Sequence, residues 1–395
     1  MDYKILLRPE IQKFIIENVK LESSKLAFNK NPFPEVDYKI ILNQIFGRSN
    51  SKIKLPTWFE CENSIYPNKI SIEQTSSEIT AQFKSELIDG NSLIDLSGGF
   101  GVDDYYFSLK MSKVIHCEID ANLSSIVNHN FEQLQRHNIQ CIVGDSTNTL
   151  ENLNQKFDWI YIDPSRRNET KGKVFMLQDC LPNVPNLQEF YYRFTSKILI
   201  KTAPLLDIKA GLNELQNVKK IYIIAVENEV KELLWELHKG YSDLITINTI
   251  NFNKNKREVF QFIYNSDNKC VFGLPKKYLY EPNSAVLKSG GFLEVASQFS
   301  LEKLHQHSHL YTSNELIEFP GRVFEIFNII SFSKKEMAFH LENKKANITI
   351  RNFPDSVEKI RKKWKIKDGG NVFCFFTTDI NNNKIVLICN KINNP

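Results

Sequence analysis

Short apolar runs alternate with longer amphipathic segments between residues 76 and 265, and this alternation is the clearest pattern in the chain. The apolar runs predict strands at residues 92–97, 113–119, 139–145, 157–163, 197–203 and 219–227. Helical spacing fills most of the gaps, as in residues 124–138 and 208–216. Strands that alternate with helices form a doubly wound parallel sheet with helices on both faces, so the pattern predicts an α/β fold.

The flanking regions have different patterns. Residues 1–75 show helical periodicity broken by turns that contain Pro and Asn, which predicts a mainly helical region. Residues 244–252 and 257–265 are apolar runs joined by a short polar turn, and they predict an antiparallel hairpin at the sheet edge. After about residue 266 the alternation is lost, and a smaller α+β region is expected.

Composition narrows the class of protein. A chain of 395 residues with 42% hydrophobic and 24% charged residues is long enough for two or three ordinary globular domains. The N-terminus lacks the apolar segment of a signal peptide, and no apolar run approaches the roughly 18 residues that span a bilayer. The seven cysteines form no Cys-x-x-Cys pair, and His305, His307 and His309 alternate along a polar stretch typical of a solvated helix or turn. These features predict a cytoplasmic protein without a metal site.

Charge is distributed unevenly along the chain. Residues 334–395 contain thirteen Lys/Arg and six Asp/Glu, which gives +7, whereas the whole chain sums to +4. The remainder is therefore slightly acidic, at −3. Such an asymmetry indicates a C-terminal region that binds a polyanion.

Acidic residues and glycines stand where the predicted strands end. In a doubly wound sheet, ligands bind beyond the carboxyl ends of the strands, and glycine lets the backbone turn tightly and approach a ligand. The residues at the first four strand ends are Asp95, Gly98, Gly99, Gly101, Glu118, Asp145 and Asp163. Taken singly, each has an ordinary structural explanation as a turn or a helix cap. The ordered set predicts a ligand site at this edge.

The spacing of the glycines distinguishes between ligands. A dinucleotide site uses G-x-G-x-x-G to bring a pyrophosphate to a helix N-terminus, whereas this chain has G-G-F-G. Asp95 in the first strand would repel a pyrophosphate. An acid at this position suits a ligand with a cationic amino-acid end, although a role as a cap for the glycine loop remains an alternative.

Four segments, "IDLSGGFGVD", "HCEID", "GDS" and "YIDPSRR", resemble in their order the motifs of class I S-adenosylmethionine-dependent methyltransferases. The chain further resembles a bacterial group that joins this core to a ferredoxin-like segment and a C-terminal THUMP-like domain. The segments that carry this narrower resemblance are "EQTSSEITAQFK", "KTAPLLDI", "EPNSAVLKSGGF" and "IRNFPDSVEKIRKKWKIKDGG". It implies a methyltransferase domain over 76–265, a ferredoxin-like segment over 266–322 and a THUMP-like domain over 323–395.

The resemblance implies S-adenosylmethionine as the cofactor. The glycine loop and Asp95 would hold its methionine part, Glu118 its ribose, and Asp145 would lie by the adenine. Residues 73–75 would close over the cofactor from outside the sheet. The cofactor-binding residues so implied are Glu73, Gln74, Thr75, Asp95, Ser97, Gly98, Gly99, Phe100, Gly101, Glu118, Ile119, Asp145, Ser146 and Asp163.

The resemblance also places the catalytic motif at Asp163, Pro164, Ser165 and Arg166. Methyltransferases of base amines carry Asp/Asn-Pro-Pro-aromatic here, so this chain departs after the proline, and Arg166 stands where the ring would stack on a flipped base. Arginine can stack on a base or clamp a phosphate. Alternatively, Arg166 and its neighbour Arg167 pair with nearby carboxylates.

No cysteine directly follows Pro164, which argues against methylation through a cysteine nucleophile. We therefore expect direct attack of a substrate nitrogen or oxygen on the methyl group, with Asp163 orienting the nucleophile or accepting its proton.

THUMP domains belong to RNA-modifying enzymes, so the resemblance implies an RNA partner. The predicted RNA-binding residues are Arg351, Arg361, Lys362, Lys363 and Lys365. A solvated helix face is the alternative for this run. We expect an enzyme that methylates a nitrogen of a base in structured RNA (tRNA or rRNA). Methylation of a small molecule or protein, and RNA binding without catalysis, are the alternatives.

Overall fold

A computed structural model of the chain describes residues 3–21, 23–166, 176–254 and 256–392. It divides into two compact units. The first comprises residues 1–218 and 235–242, and the second comprises residues 219–234 and 243–395. No described helix is both long enough and apolar enough to cross a membrane.

The described strands range from two to eleven residues in length. In chain order they are β1 (Ser92–Asp95), β2 (Lys113–Glu118), β3 (Ile139–Val143), β4 (Trp159–Ile162), β5 (Ser165–Arg166), β6 (Cys180–Leu181), β7 (Lys197–Thr202), β8 (Val218–Val226), β9 (Glu229–His238), β10 (Thr246–Phe252), β11 (Arg257–Ile263), β12 (Val271–Phe272), β13 (Tyr278–Pro282), β14 (Glu302–Lys303), β15 (Tyr311–Ser313), β16 (Gly321–Ser331), β17 (Asn347–Arg351), β18 (Val372–Thr378) and β19 (Lys384–Ile392).

The helices precede, separate and follow these strands. In chain order they are α1 (Pro9–Asn18), α2 (Ser23–Leu26), α3 (Tyr38–Lys54), α4 (Pro56–Glu60), α5 (Lys69–Gln74), α6 (Glu78–Glu86), α7 (Val102–Ser108), α8 (Ala121–Gln133), α9 (Ser146–Leu153), α10 (Val184–Tyr191), α11 (Ile208–Glu214), α12 (Ser284–Ser289), α13 (Phe292–Gln298), α14 (Lys334–His340) and α15 (Val357–Trp364). Tyr3–Leu7 and Leu177–Asp179 form 3-10 turns.

The first unit contains a parallel sheet in the order β3-β2-β1-β4-β7. The central strands β1, β4 and β7 are buried on both faces, which explains why they read as continuous apolar runs instead of alternating ones. β1 lies between β2 and β4, so the strand order reverses beside β1 and the carboxyl ends of these three strands meet there. The doubly wound fold predicted from the sequence is confirmed.

The N-terminal region is helical, as predicted, and it has an apolar core of its own. Ile11 and Ile15 of α1 pack with Ile41 and Ile45 of α3, because each pair is spaced by one helical turn on a single face. Ile126 of α8 packs against this core. The region is therefore part of the first unit.

In the second unit, β8 pairs in parallel with β10, and β10 pairs antiparallel with β11. β10 and β11 are the hairpin that the sequence predicted. A second sheet follows in the order β12-β14-β15-β13-β16-β19-β18-β17. Ile360 and Trp364 of α15 pack with Cys374, Val386 and Ile388 of β18 and β19, so the basic helix rests on this sheet through its apolar side.

Candidate cofactor and substrate site

The glycine loop after β1 is held in a conformation that side chains rarely adopt. Gly98, Gly99 and Gly101 have φ values of +24°, +63° and +75°. A Cβ at Gly98 would lie 2.5 Å from the carbonyl oxygen of Cys117, so the loop is pressed against β2 there. A Cβ at Gly99 would meet nothing closer than 3.7 Å. Gly99 is therefore the point at which a ligand can approach the bare backbone.

Glu118, at the end of β2, fixes this loop. Its Oε2 atom accepts a hydrogen bond of 2.9 Å from the Gly99 amide, and its Oε1 atom accepts one of 2.8 Å from the Asp120 amide. The carboxylate thus lies directly beside the open face of the loop. Ile119, which follows it, is 75% exposed, and Phe100 is buried.

Ser97 ties the end of β1 to the end of β4. The Ser97 amide and hydroxyl each donate a bond of 2.7 Å to Oδ1 of Asp95, and the Asp163 amide donates one of 2.7 Å to the Ser97 oxygen. Asp95 is 2% exposed, so its carboxyl lies beneath the loop. Burial, together with the nearby Asp104, raises the pKa of Asp95. Ser97, which directly precedes the glycine loop, thereby joins Asp95 and Asp163 in one hydrogen-bonded group.

A buried pair, His116 and Asp104, lies against the glycine loop at Gly98. Nδ1 of His116 in β2 lies 2.6 Å from Oδ2 of Asp104 in α7, and both side chains are fully buried. Burial lowers the pKa of His116, which favours the neutral ring. The pair was not predicted, since strand and helix positions alone do not show which polar side chains meet.

Lys84 of α6 is fully buried. It links Ser76, which lies just before α6, to Asp103, and Asp103 in turn bonds to the sheet. Its ammonium lies 3.1 Å from Oδ1 of Asp103 and donates a bond of 3.0 Å to the Ser76 hydroxyl. Ser76 and Tyr161 of β4 both donate to Oδ2 of Asp103, at 2.9 and 2.8 Å. Although burial opposes it, the charge of Lys84 holds the pKa of Asp103 below its usual range.

Residues 73–75 directly precede Ser76. Glu73 and Gln74 are exposed at the end of α5, and Thr75 follows as the residue that ends the helix. Glu73 lies 3.7 Å from Lys69 in an exposed ion pair. That this segment closes over a cofactor stays a prediction; its link to the site is the bond from Ser76 to Asp103.

Asp163 and Pro164 follow β4 directly. The Asp163 carboxylate is partly exposed and forms an ion pair with Lys201 of β7, which is itself buried. Ser165 is exposed and opens β5, which pairs with β6 through Leu181. Of Arg166 only the backbone is described, and Arg167 lies outside the described residues, so their roles stay predictions.

Asp145 is placed at the same sheet edge, after β3. Its Oδ1 atom accepts bonds of 3.0 Å from the amides of Thr147 and Asn148, so it caps the N-terminus of α9. Ser146 is the first residue of that helix and is half-buried. Contact of these two residues with an adenine ring stays a prediction.

The basic residues predicted to bind RNA lie in the second unit and differ in their surroundings. Arg361 donates to Asp368 at 2.5 Å and to the carbonyl oxygens of Ile366 and Ala346, so it holds the end of α15. Arg351 lies 2.7 Å from the buried Glu281. The exposed cations of the set are Lys362, Lys363 and Lys365.

The histidine stretch is less solvated than the sequence suggested. His309 stacks on Phe292 with ring centroids 3.6 Å apart. Burial and the charge of Lys303 lower its pKa to about 4. The expectation of a solvated helix or turn is therefore wrong for His309, because its partner Phe292 lies on α13, which the local pattern does not reveal. Within the described parts of the chain, no three His, Cys, Asp or Glu side chains form a metal-binding group.

Comparison with known proteins agrees with this architecture. A family model described as a ferredoxin-like domain matches residues 278–320, and one described as THUMP domain-like matches residues 321–391. No curated protein sequence matches the chain.

Among solved structures, a "putative methyltransferase" from Porphyromonas gingivalis W83 is 29% identical, with a TM-score of 0.86 and 100% of each chain covered. TrmK of M. capricolum with S-adenosyl-homocysteine is 16% identical, with a TM-score of 0.32 over 42% of this chain and 70% of its own. An rRNA methylase from Streptococcus thermophilus is 15% identical, with a TM-score of 0.30 over 41% of this chain and 94% of its own. The resemblance drawn from the sequence is confirmed: the chain joins a class I methyltransferase fold to a ferredoxin-like domain and a THUMP-like domain.

Proposed function

We propose that the chain is an S-adenosylmethionine-dependent methyltransferase that modifies a nitrogen of a base in structured RNA. The observation that carries the proposal is the bonded group at the switch point of the sheet. There, Ser97 connects the glycine loop to Asp163, and Glu118 holds the open face of that loop. The proposed cofactor loop and the backbone of the residue proposed to act on the substrate are thus held close together, which favours transfer of a methyl group.

The residues present fit S-adenosylmethionine better than a dinucleotide. The open face of Gly99 admits a ligand against the backbone, and the Glu118 carboxylate beside it can accept bonds from ribose hydroxyls. The Glu118 carboxylate at this edge opposes a pyrophosphate and favours a ligand with a cationic end. When bound, the cofactor supplies an electrophilic methyl group.

Asp163 is the residue we assign to the substrate. Its carboxylate is partly exposed and is held by Lys201, so it can orient a nucleophilic nitrogen and accept its proton. RNA is supported as the substrate by the THUMP domain-like match and by the exposed lysines of α15. Incubation with labelled cofactor, followed by counting of RNA, protein and small-molecule fractions, tests the assignment. Label in the protein or small-molecule fraction alone would contradict it.

Gly99 provides a test of the cofactor site. We expect Gly99→Ala to weaken S-adenosylmethionine binding by at least about tenfold, because the new methyl group would occupy the open face of the loop. Gly240→Ala is the matched control: its φ is +76° and its Cβ would meet nothing within 4 Å. Both variants should lose about 1 kcal/mol of stability through left-handed backbone strain. Calorimetry that gave equal affinities for the two would argue against this site.

Salt dependence provides a test of the RNA surface. We expect Lys362→Ala, Lys363→Ala and Lys365→Ala together to flatten the plot of log affinity against log salt by about two to three units, because each phosphate contact releases counterions. A matched triple variant of the exposed Lys30, Lys52 and Lys110 should leave the slope unchanged. Filter binding with structured RNA at several salt concentrations measures both. Identical slopes for the wild type and the α15 variant would show that these lysines are merely solvated.

A further inference from the structure

A cavity of about 640 Å³ lies within the second unit. Its walls include side chains from the hairpin, from β13 and from the THUMP-like part, namely Asn251, Glu258, Glu281, Asn283, Arg322 and Arg351. Cavities of roughly 300 to 1,000 Å³ accommodate small ligands. The volume is therefore sufficient for a molecule the size of a nucleotide.

One buried carboxylate fixes two guanidinium groups at this cavity. Glu281 is 2% exposed and lies opposite Arg322 in the β13–β16 ladder. Its Oε2 atom accepts a bond of 2.7 Å from Nε of Arg322, and its Oε1 atom accepts one of 2.7 Å from Nη2 of Arg351. The side chains of Arg322 and Arg351 remain 39% and 34% exposed. Two cations against one acid leave a positive charge that is already held in place.

A second buried carboxylate lines the same cavity. Glu258 is 9% exposed, and its Oε2 atom accepts bonds of 2.9 Å from Nδ2 of Asn251 and 2.8 Å from Nδ2 of Asn283. As far as the described residues show, both bonds go to one oxygen, so Oε1 can accept a bond from a ligand. The cavity thus offers an anion site and an acceptor for hydroxyl groups.

The remaining charged residues of the lining favour an anion. Over the whole cavity, four cationic side chains stand against three carboxylates: Lys254, Arg322, Arg351 and Lys391 against Glu227, Glu258 and Glu281. The surplus is one positive charge. A ligand with a phosphate at one end and hydroxyl groups at the other matches this distribution.

We propose that this cavity binds a nucleoside monophosphate, with the phosphate against Arg322 and Arg351 and the ribose hydroxyls toward Glu258. Arginine forks match phosphate oxygens, and a carboxylate accepts bonds from ribose hydroxyls. The same groups occur in a free nucleotide and in the phosphorylated terminal nucleotide of an RNA chain. The site is independent of methyl transfer and is tested by binding alone.

Calorimetry with the full chain and adenosine monophosphate tests the proposal. We expect adenosine, which lacks the phosphate, to bind at least about tenfold more weakly than adenosine monophosphate. Arg322→Lys should lower the affinity for adenosine monophosphate by a similar factor, because lysine lacks the planar guanidinium group. Lys335→Ala, an exposed lysine outside the lining, is the matched control and should bind as the wild type does. A wild type that gives no heat with millimolar nucleotide would overturn the proposal.

Glu258→Gln provides a second test of the site that does not depend on whether Arg322→Lys folds. Glutamine has the same shape and still accepts from Asn251 and Asn283, so the variant should melt close to the wild type. We expect Glu258→Gln to lower the affinity for adenosine monophosphate by about three- to tenfold, since a hydrogen bond to a charged acceptor is lost. The affinity for inorganic phosphate should be unchanged. Unchanged nucleotide affinity in both folded variants would likewise refute the site.

A pair of RNA oligonucleotides distinguishes the two sources of the ligand. If the terminal nucleotide of an RNA occupies the cavity, a 5′-phosphorylated oligonucleotide should bind more tightly than its 5′-hydroxyl counterpart, and Arg322→Lys should remove the difference. If Arg322→Lys lowers the affinity for adenosine monophosphate but not for either oligonucleotide, the ligand is a free nucleotide. Equal behaviour of every probe in the wild type and Arg322→Lys would overturn the assignment. Failure of methyl transfer would leave these measurements unaffected.

Discussion

Replacement of Asp163 by asparagine is expected to lower the rate of methyl transfer by about two to four orders of magnitude, the usual contribution of a positioned acid or base. The amide retains the size of the side chain but cannot accept a proton from the substrate. Affinity for S-adenosylmethionine should stay within a few-fold, because the Asp163 backbone amide still donates to Ser97. Single-turnover rates and calorimetry on the same preparation measure the two quantities.

Asp207→Asn is the matched control for that variant. Asp207 also follows a strand of the parallel sheet, but its carboxylate accepts from the Ala210 amide at 3.0 Å and caps α11. Asparagine is an equally good cap, so both turnover and stability should be preserved. Wild-type turnover in Asp163→Asn would move the chemistry to another residue, and Lys201 would be the next to replace.

Lys84→Met is expected to reduce the free energy of unfolding by about 3–5 kcal/mol, because it removes the ion-pair partner of the buried Asp103 carboxylate. Methionine fills nearly the same volume, so packing loss contributes little. The effect should appear as a lower urea midpoint. It should also weaken the cofactor site, since Ser76 binds both Lys84 and Asp103 just after the 73–75 segment.

The double variant Lys84→Met/Asp103→Asn separates charge from packing. With both charges removed, asparagine can still bond to Ser76 and Tyr161, so most of the lost stability should return. Additive losses in the double variant would show that Lys84 matters through its packing and that the ion pair contributes little.

The parallel sheet was predictable from the sequence because its strands are continuous apolar runs. Each predicted strand from residue 92 to 227 matches an observed one, with the ends shifted by at most two residues. The edge that carries Asp95, Glu118 and Asp163 followed from the parallel order, since parallel strands end on the same side. The hydrogen bonds through which Ser97 joins Asp95 to Asp163 could not be predicted, because they depend on side-chain positions.

β9 was not predicted. Its buried positions include Glu232 and Glu236, so the strand shows neither a continuous apolar run nor a clean alternation. Lys84 was missed for a related reason: a lysine in a helix is ordinarily solvated. A signal existed, since Lys84 lies three residues after Ala81 and four after Thr80, on the buried face of α6.

The partners of the basic residues could not be predicted either. Arg351 and Glu281 are 70 positions apart, and no local pattern links them. Arg361 pairs with a residue only seven positions away, yet the bond depends on how the chain turns after α15. The sequence therefore showed that residues 334–395 carry an excess of positive charge. It did not show which of these cationic side chains are exposed.

The eight-stranded sheet of the second unit has a consequence for modularity. The two family models meet between residues 320 and 321, but β13 on one side is paired along its length with β16 on the other. Leu279 and Leu310 share a buried cluster with Phe324 and Leu387, so the apolar core also crosses the boundary. Cutting there would expose the strand edges of this five-residue pairing and part of the shared core. The ferredoxin-like and THUMP-like parts therefore behave as a single piece, and a protein engineer who wishes to transplant one must carry the other with it.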